Sequence, residues 1–274
     1  MKKILVPTDF SDHAYYALKV ASQIAKKNGG EIILLHMLEL PHQAGDAIGS
    51  GHDLPEIMLF KNSAINKLED LMDDATLDGI QVSEIIQFEL AFDGIMKVSA
   101  KNDVDLIVMG SHGASGFKEM FIGSNAEKVV RNSDVPVLII KKDVGQFNVD
   151  KFVFASDFTD EIKKPFNKVV DFANKFGAEL ELVMINTPSS FKPTRLAQEI
   201  MDKFVANFTI NKFTTNIYND VNIETGILNF SNHINADLIG VCTHGRKGIA
   251  HFFNGSISED LVNHALRPVV TFKI

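Results

Sequence analysis

The chain has a single cysteine in 274 residues, Cys242, so no internal disulfide can form and a reducing compartment is expected. Positive charge is scarce: 27 Lys and Arg stand against 35 Asp and Glu, a formal net charge of −8. A surface this acidic repels a phosphate backbone, which argues against nucleic acid as a partner. Long apolar runs are missing too. Met1-Lys2-Lys3-Ile4-Leu5-Val6 opens like a secretory leader, but Pro7 and Asp9 interrupt it, and no stretch approaches the roughly 18 apolar residues of a membrane span. The expectation is a cytoplasmic protein with no membrane partner. Enzyme signatures are also lacking: there is no G-x4-G-K-[ST] loop, no G-x-S-x-G elbow and no H-E-x-x-H. The nine histidines form no Cys/His cluster, so no metal ligands are assigned.

What the chain does have is internal repetition. KKILVPTDFSD at 2–12 returns as DKFVFASDFTD at 150–160, a shift of 148. Residues 105–141 return as 237–273 at a shift of 132, with His112-Gly113 meeting His244-Gly245 and Gly123-Ser124 meeting Gly255-Ser256. The second copy therefore lacks about sixteen residues from the middle of the first. Two homologous domains are expected, over 1–143 and 149–274, joined by a short polar stretch at 142–148. So short a connection predicts halves that pack on each other.

Strands and helices alternate within each copy. Lys3–Pro7, Ile32–Leu35, Val82–Leu90, Asp105–Met109 and Val137–Ile140 read as strands, most of them nearly continuous apolar runs. Between them, Ala14, Ala17, Leu18, Ala21, Ile24 and Ala25 recur at helical spacing, with Ser11 as cap and Gly29 as stop. Ile57, Phe60, Ala64, Leu68, Leu71 and Ala75 predict a long amphipathic helix; Ile95–Lys101 and Ser124–Asn132 predict two shorter ones. This is an α/β pattern: two doubly wound domains, each with a five-stranded parallel sheet. In the second copy Pro165 falls inside the first helix, which should start late or bend.

In such sheets ligands bind beyond the carboxyl ends of the strands, where strand order reverses. Pro7, Thr8 and Asp9 follow the first strand. Gly110-Ser111-His112-Gly113 follows the fourth, and nine residues later Gly123-Ser124 opens a helix, giving G-x2-G-x9-G-S. Glycines admit close main-chain approach, and a helix N-terminus offers N–H groups to phosphates. A carboxylate at the first strand end suits ribose hydroxyls. Each piece also has a plain reading. Ser124-x-x-Glu127 fits a capping box, and Asp9, Gly110 and Gly113 fit turns.

Together, ILVPTDFS, EIILLH, DLIVMGSHG and GSNAEKVVRNSDVPVLIIK, with their counterparts in the second copy, resemble the universal stress proteins in a tandem two-domain form, over nearly the whole chain. The resemblance implies an adenine-nucleotide α-hydrolase-like fold and, in the ATP-binding branch of the family, a phosphate site at G-x2-G-x9-G-S. Carried over, Asp9 binds the ribose, and Pro7 and Thr8 line the pocket. Met37 meets the adenine through its main chain, and Met109 and Gly110 flank the nucleoside. Gly113, Gly123, Ser124, Asn125 and Ala126 surround the phosphates. The implied ligand is ATP or another adenine nucleotide, with Mg2+ as a companion of the triphosphate. It serves as signal or structural ligand in domain 1, and turnover is at most slow. The resemblance also implies pairing of Val137–Ile140 with Val269–Phe272 inside one molecule as a pseudo-dimer, and leaves a homodimer open.

The second copy departs from the motif. Cys242 stands where the first has Gly110, Ala155 replaces Pro7, and Phe252-Phe253-Asn254 adds bulk, while Arg246 and Lys247 add charge. It reads as the weaker site. The Pro41–Leu54 loop reads either as a lid or as a surface loop. The competing functional reading is a non-nucleotide interaction module acting through protein partners or another small ligand. A metabolic enzyme of the wider hydrolase group ranks last, because Pro7-Thr8-Asp9-Phe10-Ser11 is not the S-G-G-x-D-S loop it requires.

Overall fold

The computed structural model describes residues 1–38, 55–113, 122–243 and 261–274. The first half runs β1 (Lys3–Thr8), α1 (Asp12–Asn28), β2 (Glu31–Met37), α2 (Pro55–Met72), β3 (Gln81–Gln87), α3 (Ala91–Lys101), β4 (Leu106–Gly110), α4 (Ser124–Asn132) and β5 (Val137–Ile140). The second runs β6 (Lys151–Ala155), α5 (Lys163–Phe176), β7 (Glu179–Asn186), α6 (Thr194–Val205), β8 (Phe213–Asn219), α7 (Ile223–His233), β9 (Leu238–Thr243) and β10 (Val269–Lys273). The Pro41–Leu54 loop lies outside the described residues, as do His244 to Gly255-Ser256.

The strands form one ten-stranded sheet in the order β3-β2-β1-β4-β5-β10-β9-β6-β7-β8. Each half is parallel, and the halves meet where β5 and β10 pair antiparallel, with Val137, Leu138 and Ile139 opposite Thr271, Val270 and Val269. That is the expected pseudo-dimer. Two apolar cores lie on the two faces, and each draws residues from both halves. One gathers α1, α5 and α6; the other gathers α3, α4 and α7.

Local chemistry explains the elements. Ser11 caps α1 by accepting the Ala14 N–H at 3.3 Å, and Gly29 ends it at φ 59°, a left-handed turn that only glycine adopts freely. Among the described residues the non-glycine left-handed residues form two matched pairs, Phe10 with Phe158 and Asp103 with Asn235. The halves thus turn at equivalent points. Their cores are filled differently: Ile4, Val6, Leu18 and Ile24 correspond to Phe152, Phe154, Phe166 and Phe172, all buried. Gly240, at the position of Val108, makes the room, because a Cβ there would stand 2.6 Å from the Phe152 ring. Swapping large and small residues between facing positions keeps the packing dense.

Some expected boundaries move. α3 begins at Ala91 rather than Ile95, β3 ends at Gln87 rather than Leu90, and Ala75 belongs to a 3-10 turn after α2. Phe60 faces solvent instead of the core. α5 does start late, at Lys163, after a 3-10 turn over Asp160–Ile162.

The join is reinforced on both sides. Lys141, just past β5, donates to the Asn263 carbonyl of the other half. Lys273, at its counterpart position, donates to Asn132 O at 3.1 Å and pairs with Asp134 at 2.8 Å. The connecting stretch lies on α1: Gln23 donates to Gly145 O at 2.8 Å and accepts the Phe147 N–H at 2.7 Å, while the Phe147 ring is buried. Burial pushes the Lys141 ammonium down to about 8 from 10.5. Below that value the native state carries the cost of a buried charge in full. Between about 8 and 10.5 the native state sheds the proton while the unfolded chain keeps it, so stability rises with pH across that window. Urea unfolding of the wild type and Lys141→Met at pH 7, 8.5 and 10 is expected to show the wild type gaining on the variant as pH rises; a constant difference overturns this.

Candidate functional site

The site begins where β1 ends. Thr8 Oγ1 accepts the Phe10 N–H at 3.1 Å, Phe10 sits at φ 65°, and Asp9 Oδ1 accepts the Ser11 N–H at 3.1 Å and its hydroxyl at 2.6 Å. A bulky residue in the left-handed region is uncommon, and here side-chain acceptors on both sides hold it. The knuckle presents the exposed Asp9 carboxylate at the strand end. Behind it the Phe10 ring packs on His36, whose Nδ1 meets Thr8 O at 2.8 Å.

β4 ends beside it. A Cβ on Gly113 would stand 2.5 Å from Asp9 Oδ2, so the glycine leaves room for the Asp9 carboxylate in its present position. Ser111 O accepts the Gly123 N–H at 2.7 Å, which ties the end of β4 to the start of α4. Ser111 Oγ lies 2.8 Å from His112 Nδ1. Gly123 is the N-cap of α4 and offers no side-chain cap, so Ser124 is the first helical residue and the Ser124-x-x-Glu127 capping box is not formed. The first-turn amides of Ser124, Asn125 and Ala126 have no acceptor within the helix.

These pieces enclose a cavity of about 410 Å³, within the range of small-molecule sites. All eleven residues singled out from the sequence line it: Pro7, Thr8 and Asp9 at the end of β1, Met37 from β2, Met109, Gly110 and Gly113 at the end of β4, and Gly123, Ser124, Asn125 and Ala126 at the start of α4. Its lining is of mixed chemistry. Leu35, Met37, Ala91, Ile95 and Met109 are apolar, and the α4 turn is polar. Leu35, Ala91 and Ile95 escaped the sequence reading. Placing the start of α3 four residues late hid Ala91. Gly94 shapes the apolar lining: a Cβ there would stand 2.1 Å from Met37 Cε, so the glycine makes space for the methionine side chain.

The family model described as the universal stress protein family matches residues 1–141 and again 148–273. The chain belongs to the universal stress protein family. Universal stress protein MJ0577 of Methanocaldococcus jannaschii is 34% identical over 154 residues, covering 52% of this chain and 95% of that protein. Universal stress protein Slr1230 of Synechocystis is 24% identical over 300 residues and spans both chains completely. The crystal structure of a universal stress protein from Archaeoglobus fulgidus superposes with a TM-score of 0.75 at 24% identity, over 99% of this chain and 96% of that one, which shows the shared fold.

The two universal stress protein domains differ at their strand ends. The second repeats the knuckle: Ser156 Oγ accepts the Phe158 N–H at 3.0 Å, and Asp157 Oδ1 accepts from Thr159 N and Oγ1 at 3.3 and 3.1 Å. Beside it lies a small cavity of about 20 Å³, room for about one water. The short connection after β7 borders it. Asn186 accepts the Lys192 N–H at 3.2 Å and donates to Lys192 O at 3.0 Å, and Ser190 and Lys192 line the cavity. The sixteen-residue deficit predicts a shorter loop there. Cys242 is buried, and burial, with the Asp157 charge, pushes its thiol above the ordinary range, which favours the protonated form. Arg246, Lys247 and Phe252-Phe253-Asn254 lie outside the described residues.

Gly110 lines the cavity and is also constrained from within the protein: a Cβ there would stand 2.7 Å from His13 C and 2.8 Å from His13 O, main-chain atoms of α1. The helix itself crowds the glycine. In the second domain Cys242 carries that Cβ, and the helix there starts later. Gly110→Ala is therefore expected to destabilise the ligand-free protein by about 1–3 kcal/mol through displacement of α1. Urea unfolding checks this, and an unchanged midpoint overturns it.

Proposed function

We propose that the first domain binds an adenine nucleotide, ATP in the first instance, and that the nucleotide acts as a signal or structural ligand. The observation that carries this is the glycine-capped start of α4, which turns the Ser124, Asn125 and Ala126 amides toward a cavity whose lining is otherwise largely apolar. A helix N-terminus carries a partial positive charge and donor N–H groups, which suit a phosphate chain. The apolar lining suits a base, and Asp9 serves as acceptor for ribose hydroxyls. Among the described lining residues there is no Lys or Arg, and Asp9 is the single carboxylate. The phosphate charge is then balanced by main-chain dipoles and by a Mg2+ carried on the phosphates themselves. With no arginine at the phosphate end among those residues, the bound nucleotide is held rather than rapidly hydrolysed.

The second domain lacks the first glycine of the motif, with Cys242 at the position of Gly110, which supports a non-nucleotide role for that half and one nucleotide per chain.

Ser124→Asp separates the helix from the ligand. A carboxylate in the first turn of α4 stabilises the helix by about 0.3–1 kcal/mol but repels phosphates. Calorimetric titration of the full chain with ATP, ADP, AMP and cyclic AMP is expected to give one site for the wild type. Ser124→Asp should lose tenfold or more in ATP affinity while melting no lower. The proposal fails if the wild type takes up no nucleotide at millimolar concentration, or if the variant binds ATP as well as the wild type.

A further inference from the structure

One polar contact between the halves lies against the candidate site. The Ile122 N–H donates to Asn263 Oδ1 at 2.5 Å, across 141 residues of sequence. Ile122 directly precedes Gly123, whose own N–H goes to Ser111 O at 2.7 Å. The turn that opens α4 is thus held from two directions, by its own domain through Ser111 and by the other domain through Asn263. Asn263 is fixed in turn. It lies in the helical stretch 261–264, between the buried Val262 and Ala265, and its carbonyl accepts from Lys141.

We infer that Asn263 is a positioning residue for the nucleotide site of the first domain. By accepting the Ile122 N–H it sets the direction in which the next amides, Ser124 to Ala126, enter the cavity. The binding site therefore belongs to both domains, although only the first lines it among the described residues. The residue at the matching position of the first domain is Arg131, and a guanidinium has donors but no acceptor, so the first domain cannot return the same hydrogen bond. Linkage makes the effect reciprocal in energy: whatever Asn263 adds to nucleotide affinity, bound nucleotide adds to the hold between the halves.

The inference rests on the cavity being a nucleotide site, and the test separates the two. Wild type, Asn263→Ala and Asn263→Asp are titrated with ATP and with adenosine, which lacks phosphates. Truncation to alanine removes the acceptor and is expected to weaken ATP about tenfold while changing adenosine less than twofold. Aspartate keeps an acceptor oxygen beside Lys141 and is expected to recover most of the ATP affinity. If alanine prevents folding, Asn263→Ser, which shortens the side chain more gently, takes its place in the same comparison. Equal ATP affinity in wild type and Asn263→Ala overturns the inference, as does an equal loss for ATP and adenosine, which would mark a merely structural contact. A wild type that binds no nucleotide defeats the site reading first and this inference with it.

Discussion

The antiparallel pairing of β5 with β10 is the constraint from which the rest of the molecule follows. It turns two five-stranded sheets into one of ten, and it removes two strand edges that would otherwise lie open to association with other chains. Because each core spans both halves, the hydrophobic burial that stabilises one domain is continuous with that of the other. Lys141 and Lys273, crossing in opposite directions to the partner half's helix ends, repeat the approximate twofold relation in side-chain chemistry. The candidate site depends on the same junction, since the turn that opens α4 leans on Asn263.

Within that symmetric frame the two copies have moved apart. The first keeps small and aliphatic side chains around an open cavity of about 410 Å³. The second has filled its core with phenylalanines and carries a short connection after β7 beside the end of its first strand. The Phe166 ring meets Phe154, Phe204 and Phe208 with centroids 4.7–5.4 Å apart, a dense aromatic cluster of the kind that adds about 0.5–1.5 kcal/mol per pair beyond burial. The strand-end knuckle survives in both domains because it is a backbone device. Thr8 and Ser156 stabilise the left-handed Phe10 and Phe158 whether or not a cavity lies beyond them.

Much of this was legible in the residues. α4 and β5 lie where their patterns place them, because a buried four-residue run between polar punctuation and an amphipathic segment opened by a glycine are local signals. The lining residues were legible because glycines, a carboxylate and a helix start fall at strand ends that α/β topology brings together. The shortfalls are equally physical. Phe60 fits the helical period yet faces solvent, since periodicity records spacing and not what the neighbouring surface offers. That Gly110 also faces the main chain of His13 could not be read, because this is a tertiary contact with no sequence signature. Asn263 was invisible for the same reason: one side chain reaching another domain leaves no periodic trace.

The connecting stretch on α1, with Phe147 buried and Gln23 bonded to it twice, has a further meaning. Tethering makes the encounter of the two copies intramolecular, so their pairing is governed by an effective local concentration and not by how much protein is present. The prop beneath the α4 turn accordingly persists at any dilution, and the affinity it confers is independent of expression level.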